Sequence, residues 1–517
     1  MDTDNNKVNG DGNQPGFEIE TPKPIFESVA VESAPPTENT APQMQPEEVS
    51  SDVASTEDVM NGAPPMMPPD LPGPMYEESK TKYFIIGGAV LFFIIILFVL
   101  LKLVFRGTPA STKPVTLTYW GLWEDKDVID PLIADYKSKN PNVTINYVKM
   151  EPQEYREKLI ARSKNGTGPD IFRFHNTWLP EIQEVAAPLP ESIMSNAEFE
   201  KTFYPIHAKD LKVDKYYYGI PLEIDGLVLL YNNNLFKKAG ISQPPSNWDQ
   251  VADVVKQLTL ADSTGKLLTS GLAIGTSSNI EHFSDIIGLM LIQNNPDKAT
   301  LDKPISALAA FNSQTGVGAL QAYRKMAEPP TAFWDDTMPN SVVAFTQEKV
   351  AMIFAPSWEI GNIHSQNPDL DIKVAPVPKV PNSVSLSIAN YWVEGVSKVS
   401  QNQLEAWKFV KFLSEKDNMV KLYANQTKTR IVGEPYSRVD LADQLAKSPY
   451  LSVVIQQAPQ YVSLPLISRT NDNGLNDRII DYLKNAVNAT INGVGYQEAA
   501  NTAQKGIDQI LGQYKLQ

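Results

Sequence analysis

The fold of this chain is most clearly indicated by residues 218–250, which read YGIPLEIDGLVLLYNNNLFKKAGISQPPSNWDQ. A turn leads into a strand that carries two acids, Glu223 and Asp225, followed by an apolar run at residues 227–231. Two helices come next, the second beginning at Trp248, with a loop rich in Pro and Ser between them. This order predicts a crossover between two lobes, with polar side chains directed into the gap.

Alternating strands and helices predict an α/β domain from residue 115 onward. Residues 115–119 alternate between apolar and polar side chains, a helical stretch ends at Asn140 and Pro141, and residues 143–147 alternate again. A strand, a helix and a strand within about 35 residues form a βαβ unit, which predicts a parallel sheet. We expect further units of this kind around short apolar strands at residues 169–174, 349–355 and 371–378.

Two tryptophans within helical patterns are expected in the core, where large aromatic side chains are most often buried. Trp248 begins one of these helices. Residues 401–415 form the other, and their periodicity places four apolar side chains on one face, namely Leu404, Trp407, Val410 and Leu413. Residues 476–511 predict a final pair of amphipathic helices, separated near residues 492–495.

The net charge of −15 belongs almost entirely to the N-terminal tail. Residues 1–79 hold 16 acids and two bases, and they include the stretch PPMMPPDLPGP at residues 64–74. Such a composition cannot bury enough apolar surface to offset the entropy of ordering, so we expect a disordered tail. The rest of the chain is close to neutral, which argues against a nucleic-acid-binding face.

An uncharged apolar stretch, YFIIGGAVLFFIIILFVLL, occupies residues 83–101 and is about long enough to cross a hydrocarbon core. Basic residues flank it on both sides, at residues 80–82 and 102–106. A secretory signal would lie near the start of the chain, so we expect residues 80–106 to form an uncleaved transmembrane helix followed by a linker at residues 107–114. Because the flanking basic residues are balanced, they do not set the orientation of the helix.

The chain has no cysteine and only four histidines. The first count excludes disulfides, thiolate metal sites and thiol nucleophiles, and the second leaves little room for a histidine-rich metal site. No phosphate-binding P-loop motif is present either. We therefore expect no cofactor, no metal ion and no catalytic residue.

Polar and aromatic side chains follow the predicted strands at the points where the strands end. In open α/β sheets, ligands bind beyond the carboxyl ends of the strands or between lobes. Sugars suit this mixture of residues, because their C–H faces pack on aromatic rings while their hydroxyls pair with carboxylates and amides. The candidate ligand-binding residues are Trp120, Trp123, Glu124, His175, Asn176, Trp178, Glu223, Asp225, Ser357, Trp358, Tyr391 and Trp392.

The two acids of the crossover leave a second interpretation open. Glu223 and Asp225 lie two residues apart on a predicted strand, so their carboxylates would face the same side, as in a glycosidase acid pair. The same spacing suits the binding of sugar hydroxyls, and nothing else in the sequence supplies an activated water. We expect binding and no catalysis, with a surface glycosidase as an alternative.

Five segments, in one order, resemble a known family. They are YWGLWED at residues 119–125, GTGPDIFRFHNTW at 166–178, YGIPLEIDGLVLLYNNNLFKKAGI at 218–241, FTQEKVAMIFAPSWEIGNI at 345–363 and ANYWVEGVSKVSQNQLEAWKFVKFL at 389–413. The segments are spread over residues 119–413, and the resemblance extends over almost all of residues 115–511. This train of segments resembles the extracellular solute-binding proteins of ABC importers, especially the sugar- and oligosaccharide-binding branch that includes maltodextrin-binding proteins.

The resemblance implies an α/β, two-lobed periplasmic-binding-protein-like fold of type II, preceded by the transmembrane helix and the tail. The lobes would interleave along the chain, with lobe 1 at residues 115–226 and 383–430 and lobe 2 at residues 227–382 and 431–517.

The resemblance also implies ligand contacts at Asp225, at Glu223, in the Trp178 region and at Trp358. The chain departs from the family at Glu348, where a glycine is usual, and at residues 471–477, where the usual aromatic contact is absent. The second departure points to a smaller or more polar ligand.

The resemblance further implies a membrane-anchored protein that captures a sugar or oligosaccharide and delivers it to an ABC importer. Residues 107–517 would lie outside the membrane and the tail in the cytoplasm. The expected partners are the sugar, ABC permease subunits and membrane lipid along residues 83–105; we expect no nucleic acid and a monomeric protein. A sugar-sensing receptor that signals through the helix is the alternative, because anchoring alone does not require so long a tail.

Overall fold

The computed structural model describes residues 91–92, 94–96, 113–294, 302–330, 332–467 and 473–516. The described residues from Lys113 onward belong to one compact unit, and residues 91–96 belong to a second unit that spans Ser28–Thr112. The tail predicted at residues 1–79 and most of the predicted linker lie outside the described residues.

Only a small part of the predicted membrane helix is described. Residues 91–92 and 94–96 are helical and their large apolar side chains are exposed. Within the described ranges, no helix combines the length and the hydropathy that a bilayer crossing requires. The other residues of the predicted span fall outside those ranges, so the membrane helix stays a prediction.

The strands and helices of the unit from Lys113 onward alternate along the chain. The strands are β1 (Val115–Gly121), β2 (Val143–Lys149), β3 (Ile171–His175), β4 (Lys212–Val213), β5 (Tyr216–Tyr217), β6 (Ile220–Pro221), β7 (Leu227–Asn232), β8 (Leu260–Ala261), β9 (Leu267–Thr269), β10 (Met352–Pro356), β11 (Ile372–Ala375), β12 (Ser387–Ile388), β13 (Trp392–Val396) and β14 (Tyr461–Val462). The helices of the first half are α1 (Lys126–Lys139), α2 (Tyr155–Lys164), α3 (Leu179–Ile182), α4 (Asn196–Thr202), α5 (Pro205–Leu211), α6 (Asn233–Lys238), α7 (Trp248–Leu258) and α8 (Phe283–Asn294). Those of the second half are α9 (Ile305–Leu308), α10 (Gln314–Lys325), α11 (Ser341–Thr346), α12 (Glu359–Gln366), α13 (Gln403–Leu413), α14 (Lys416–Gln426), α15 (Ala442–Leu445), α16 (Ser452–Gln457), α17 (Leu475–Ile491) and α18 (Tyr496–Gln513).

A mixed five-stranded sheet, which we call sheet 1, has the order β2-β1-β3-β13-β6. The predicted βαβ unit is confirmed, because β1 and β2 pair in parallel with Val115 opposite Val143. β3 also runs parallel to β1, whereas β13 runs antiparallel to both β3 and β6. The predicted parallel sheet is therefore confirmed for β2, β1 and β3, whereas β13, a late strand, enters sheet 1 from the opposite direction.

A three-stranded sheet, which we call sheet 2, has the order β10-β7-β11. β7 is the central strand and pairs antiparallel with both neighbours. The strands predicted at residues 349–355 and 371–378 are present as β10 and β11, but they do not form a parallel pair. They run in the same direction on opposite sides of β7, because the chain between them, which includes α12, passes across the central strand.

The chain crosses from sheet 1 to sheet 2 within five residues, 222–226, between the end of β6 and the start of β7. We call these residues the crossover segment. The chain returns from β11 of sheet 2 to β13 of sheet 1, after β12 has paired with β14 in a separate two-stranded sheet. The order of the strands is compatible with the interleaved lobes, whose boundaries stay a prediction.

The predicted core helices are largely confirmed. Trp248 and Trp407 are completely buried, and α13 also buries Val410 and Leu413. Leu404 was expected on the same face, but its side chain is 48% exposed. It lies in the first turn of α13, and the buried face of that helix begins only at Ala406.

A buried ion cluster joins α2 to the start of α17, across more than 300 residues of sequence. Arg156 donates from Nη2 to Asp477 Oδ2 (2.8 Å) and lies 3.0 Å from Glu181 Oε2 through Nη1. Its guanidinium packs over the ring of Trp178, 5.3 Å from the ring centre. Gly474 passes so close that a Cβ there would lie 1.9 Å from Arg156 Nη2. The cluster therefore requires a residue without a side chain at position 474.

We predict that Gly474→Ala destabilises the protein by about 1–3 kcal/mol, because the added methyl overpacks a site where the Arg156 guanidinium is already fixed by two carboxylates. Gly361→Ala is the matched control, since a Cβ at that helical position meets no atom within 4 Å. It should be neutral or stabilise the protein by up to about 1 kcal/mol, because alanine favours helix. Urea unfolding of both variants measures the difference; equal effects would contradict the close approach.

Candidate functional site

The two acids of the crossover segment each hold the backbone of one tryptophan. Glu223 Oε1 accepts a hydrogen bond from the backbone N–H of Trp392 (2.9 Å), at the start of β13 in sheet 1. Asp225 Oδ2 accepts one from the backbone N–H of Trp358 (3.1 Å), just after β10 in sheet 2. Since the two acids are two residues apart, they fix Trp392 and Trp358 on either side of the crossover segment.

The carboxylate of Asp225 is fully occupied by the protein. Besides Trp358, it accepts hydrogen bonds from the backbone N–H of Gly226 (2.7 Å) and from both the N–H and the hydroxyl of Ser357 (3.1 and 3.0 Å). Burial raises the pKa of Asp225 to about 7; the charge of Glu434 acts in the same direction, and the bonds from Gly226 and Ser357 oppose it. Asp225 thus fixes the end of β10 and has no oxygen to spare for a ligand.

The aromatic rings of sheet 1 form a series from the surface to the core. Trp123 is 47% exposed, and its ring centre lies 5.7 Å from that of the partly buried Trp392. The ring of Trp392 in turn lies 5.2 Å from those of Trp178 and His175, which are completely buried. Trp123 and Trp392 are therefore the members of this series that a ligand could touch, while Trp178 supports them from behind.

Trp123 has an unusual backbone conformation. Its φ angle is +67°, in the left-handed region that residues with a side chain seldom adopt. The neighbouring Glu124 is held by its partners: its carboxylate accepts from Arg430 Nη2 (2.6 Å) and Gln426 Nε2 (2.8 Å), and its carbonyl from the Tyr147 hydroxyl (2.7 Å). The turn after β1 is thus fixed so that the indole of Trp123 lies at the surface.

Trp358 is the corresponding aromatic residue beside sheet 2. Its side chain is 38% exposed, and it immediately precedes α12. The ring of His282 packs edge to face against it, with ring centres 6.0 Å apart. A third accessible indole therefore lies on the other side of the crossover segment from Trp392.

Several predicted site residues form an internal network instead of a surface. His175 contacts Thr177 Oγ1 (2.9 Å) and Asn390 Oδ1 (3.1 Å), and burial lowers its pKa to about 3. Asn176 and the Tyr391 hydroxyl both donate to Asp210 Oδ2, at 2.9 and 2.7 Å. These side chains are buried with their polar atoms engaged. Trp120 is partly buried against the core, and Ser357 is buried on Asp225.

A group of buried and partly buried charges lies beside the crossover segment. Arg173 Nε binds Glu394 Oε1 at 2.7 Å, while its Nη1 is 3.9 Å from Glu223 Oε2. Arg430, which also pairs with Glu124, lies 3.2 Å from Glu434 Oε1. Burial, and then the charge of Glu434, raises the pKa of Glu223 well above its usual value despite the opposing charge of Arg173. Glu223 is thus the glutamate of this group with the weakest cationic partner.

Four of these charged residues, Arg173, Glu394, Arg430 and Glu434, were not predicted as part of the site. The sequence contains a pattern that indicates the first two. Arg173 and Glu394 each interrupt an otherwise apolar strand, and the register of β3 and β13 places them directly opposite each other. A charged residue inside each of two apolar strands predicts such a pair. Arg430 and Glu434 lie in a segment without regular structure, and their sequence context carries no comparable signal.

The strand geometry assumed for a glycosidase pair is absent. β6 ends at Pro221 and β7 begins at Leu227, so Glu223 and Asp225 lie between strands. Their carboxylates bind different elements, one the start of β13 and the other the end of β10. Across the described ranges, no cluster of three or more His, Asp or Glu side chains is arranged to hold a metal ion.

Known proteins with similar sequences are binding proteins. A putative binding protein of Brucella abortus is 26% identical over 297 residues, which cover 56% of this chain and 69% of that protein. The multiple sugar-binding protein of Streptococcus mutans is 22% identical over 332 residues, 62% of this chain and 75% of its own length.

Solved structures show the same two-lobed fold. A solute-binding protein of Thermotoga lettingae, bound to α-D-tagatose, superposes with a TM-score of 0.59 at 23% identity and covers 77% of this chain and 100% of its own. The sugar-binding protein MalE of Xanthomonas citri gives a TM-score of 0.62 at 19% identity, with 77% and 98% coverage. These likenesses confirm the α/β periplasmic-binding-protein-like fold.

The profile of one protein family matches more than half of the chain, over residues 121–420. That range contains β2, β3, the crossover segment, the return strand β13 and every accessible indole described above. This chain therefore belongs to the bacterial extracellular solute-binding protein family.

Proposed function

We propose that this protein captures a sugar or oligosaccharide between its two lobes, at the crossover segment, and delivers it to an ABC importer. The observation that carries the proposal is the placement of Trp123, Trp392 and Trp358. All three indoles are at least partly accessible, and the last two are fixed by carboxylates of one five-residue segment. Flat apolar faces beside buried carboxylates suit a sugar ring better than they suit an amino acid or an ion.

In this proposal the twelve candidate residues divide into two roles. Trp123, Trp358 and Trp392 stack on the ligand, and Glu124 and Glu223 accept from its hydroxyls at the edge of the stack. The remaining residues position those five from behind through the contacts described above: Trp120, His175, Asn176, Trp178, Asp225, Ser357 and Tyr391. Asp225 is the clearest example, because its four hydrogen bonds all go to protein donors.

Ligand capture would act through the relative movement of the lobes. A sugar that contacts Trp392 on one side and Trp358 on the other binds the closed arrangement more tightly than an open one, and so shifts the population toward closure. The crossover segment and the return between β11 and β13 are the places where the chain passes between the lobes. An importer would then distinguish the closed protein from the open one.

The sequence supports a membrane anchor for this function. Residues 83–105 carry one charge, at Lys102, and are long enough to span a bilayer. We propose that they hold the binding domain, residues 113–517, at the outer face of the membrane and leave the acidic tail in the cytoplasm. The length of that tail favours a second candidate function, in which the same domain reports the presence of a sugar through the helix.

We predict that Trp123→Ala, Trp358→Ala and Trp392→Ala each weaken sugar binding roughly tenfold to a hundredfold, or about 1.4–2.8 kcal/mol, because a stacking surface is lost. Intrinsic fluorescence and calorimetric titration with mono- and oligosaccharides measure the effect. Tyr216→Ala is the control, since Tyr216 is an exposed aromatic residue on β5, outside the candidate site. Absence of binding by the unaltered protein across neutral, amino and phosphorylated sugars would contradict the proposed function.

We also predict that charges placed in the anchor release the protein from membranes. Replacing Ile94, Ile95 and Ile96 together with Asp should cost about 2.5–3.5 kcal/mol per charge at the centre of a span. The full chain should then move from the membrane pellet to the soluble fraction after ultracentrifugation, whereas replacement of the same residues with Leu should leave it in the pellet. A membrane-bound triple Asp variant would argue against this anchor.

A further inference from the structure

A histidine and two acids that are not among the twelve candidate residues lie beside Trp358. His282 immediately precedes α8, and Asp285 lies in the first turn of that helix. Glu359 is the first residue of α12, directly after Trp358. The side chains of all three are buried, and the ring of His282 packs against the indole of Trp358. We call His282, Asp285 and Glu359 the α8–α12 cluster.

The cluster holds a charged imidazole. His282 Nδ1 lies 3.2 Å from Asp285 Oδ2, and its Nε2 lies 4.0 Å from Glu359 Oε2. Burial opposes the charged form, but the two carboxylates outweigh it and raise the pKa of His282 to about 10. The cluster therefore places a protonated imidazole between two carboxyl groups, and burial raises the pKa of Asp285.

Two polar atoms of this cluster lack a hydrogen bond. Neither His282 Nε2 nor Asp285 Oδ1 has a hydrogen-bond partner among the residues that the structure describes, although His282 is only 8% exposed and Asp285 only 3%. The 4.0 Å separation from Glu359 is too long for a hydrogen bond. Native proteins seldom leave buried polar atoms unpaired, and each exception calls for an explanation, such as a bound water, an ion or a functional role. Here a donor and an acceptor are left over together, beside an accessible indole.

We propose that His282, Asp285 and Trp358 form a subsite for an uncharged sugar ring with two adjacent free hydroxyls. The inference rests on the proposed function and extends it to the class of ligand. His282 Nε2–H donates to one hydroxyl oxygen, Asp285 Oδ1 accepts the hydrogen of the next hydroxyl, and Trp358 packs on the C–H face of the ring. Vicinal hydroxyls are suited to this pair, because each is both a donor and an acceptor.

The charges of the subsite exclude anionic sugars. A phosphate or carboxylate on the ring would approach Asp285 and Glu359 with a single imidazolium between them. Like charges in a site of low dielectric repel strongly. Neutral sugars should therefore bind in preference to their phosphorylated or oxidised counterparts.

A purely structural role must be distinguished from this one, since an ion pair could simply hold α8 against α12. The test uses the full chain and a panel of neutral mono- and oligosaccharides, each with its 6-phosphate or uronate where one exists. Each neutral sugar that binds is then compared with its monodeoxy analogues. A structural ion pair would affect unfolding but would not change which hydroxyls matter.

We expect Asp285→Asn to weaken the binding of neutral sugars tenfold to a hundredfold, with a similar loss for His282→Gln. The monodeoxy analogue that lacks the hydroxyl bonded to Asp285 should bind the unaltered protein tenfold to a hundredfold more weakly than the parent sugar. Asp285→Asn should weaken the binding of this analogue little further, because the hydroxyl that would donate to Asp285 is already absent. Glu281→Gln is the control: it removes an exposed neighbouring carboxylate and should leave the dissociation constants unchanged. Phosphorylated sugars should bind at least tenfold more weakly than their neutral counterparts.

The outcomes separate the two proposals. If neutral sugars bind and Trp392→Ala weakens them, but Asp285→Asn and His282→Gln do not, the subsite is refuted and the proposed function stands. Equal or tighter binding of the phosphorylated sugars likewise overturns the subsite alone. If no sugar in the panel binds, both proposals fail. Should His282→Gln not fold, the deoxy series on the unaltered protein and on Asp285→Asn still decides between these outcomes.

Discussion

The candidate site depends on two buried carboxylates that hold backbone N–H groups on either side of one short segment. Glu223 fixes the start of β13 and Asp225 fixes the end of β10, so the positions of two strands in two different sheets are set by residues 222–226. Hydrogen bonds to a charged acceptor are among the stronger ones, about 1.5–3 kcal/mol each. Burial nevertheless raises the pKa of both acids, which means that removing these carboxylates from water costs more than the donors return. The same hydrogen bonds fix the backbones of Trp392 and Trp358 beside the crossover segment.

The sequence predicted the strands beside the candidate site better than the environment of the side chains that follow them. Apolar periodicity located β1, β3 and β10, and the rule that ligands bind beyond strand ends then selected the side chains after them as candidates. That rule does not predict whether a side chain that follows a strand points to the surface or to the core. Trp178 and Trp123 both follow a strand, but Trp178 is completely buried, whereas Trp123 is exposed because its backbone adopts a positive φ.

The electrostatic environment was largely unpredictable, because it depends on contacts between distant parts of the chain. Glu124 pairs with Arg430, 306 residues later, and Glu223 lies beside Tyr436 through an isolated bridge. Local sequence carries no information on such a pairing. His282 was missed for the same reason: it follows no predicted strand, and it becomes significant only because α8 and α12 meet beside Trp358.

Selectivity for a ligand depends on which polar atoms of the site already have a hydrogen-bond partner within the protein. Both oxygens of Asp225 accept hydrogen bonds from protein donors, and the polar atoms of Asn176, His175 and Tyr391 are also bonded within the protein. A ligand hydroxyl could bind one of these side chains only if an internal hydrogen bond were broken. The indoles offer a surface that any sugar ring can use, which gives affinity with little discrimination. In the proposed site, further discrimination would come from polar atoms that the described protein leaves without a partner. Beside Trp358 those atoms are His282 Nε2 and Asp285 Oδ1, one a donor and the other an acceptor, in a cluster of one imidazole and two carboxyl groups. In the proposed subsite, that arrangement would select for adjacent hydroxyls and against anions.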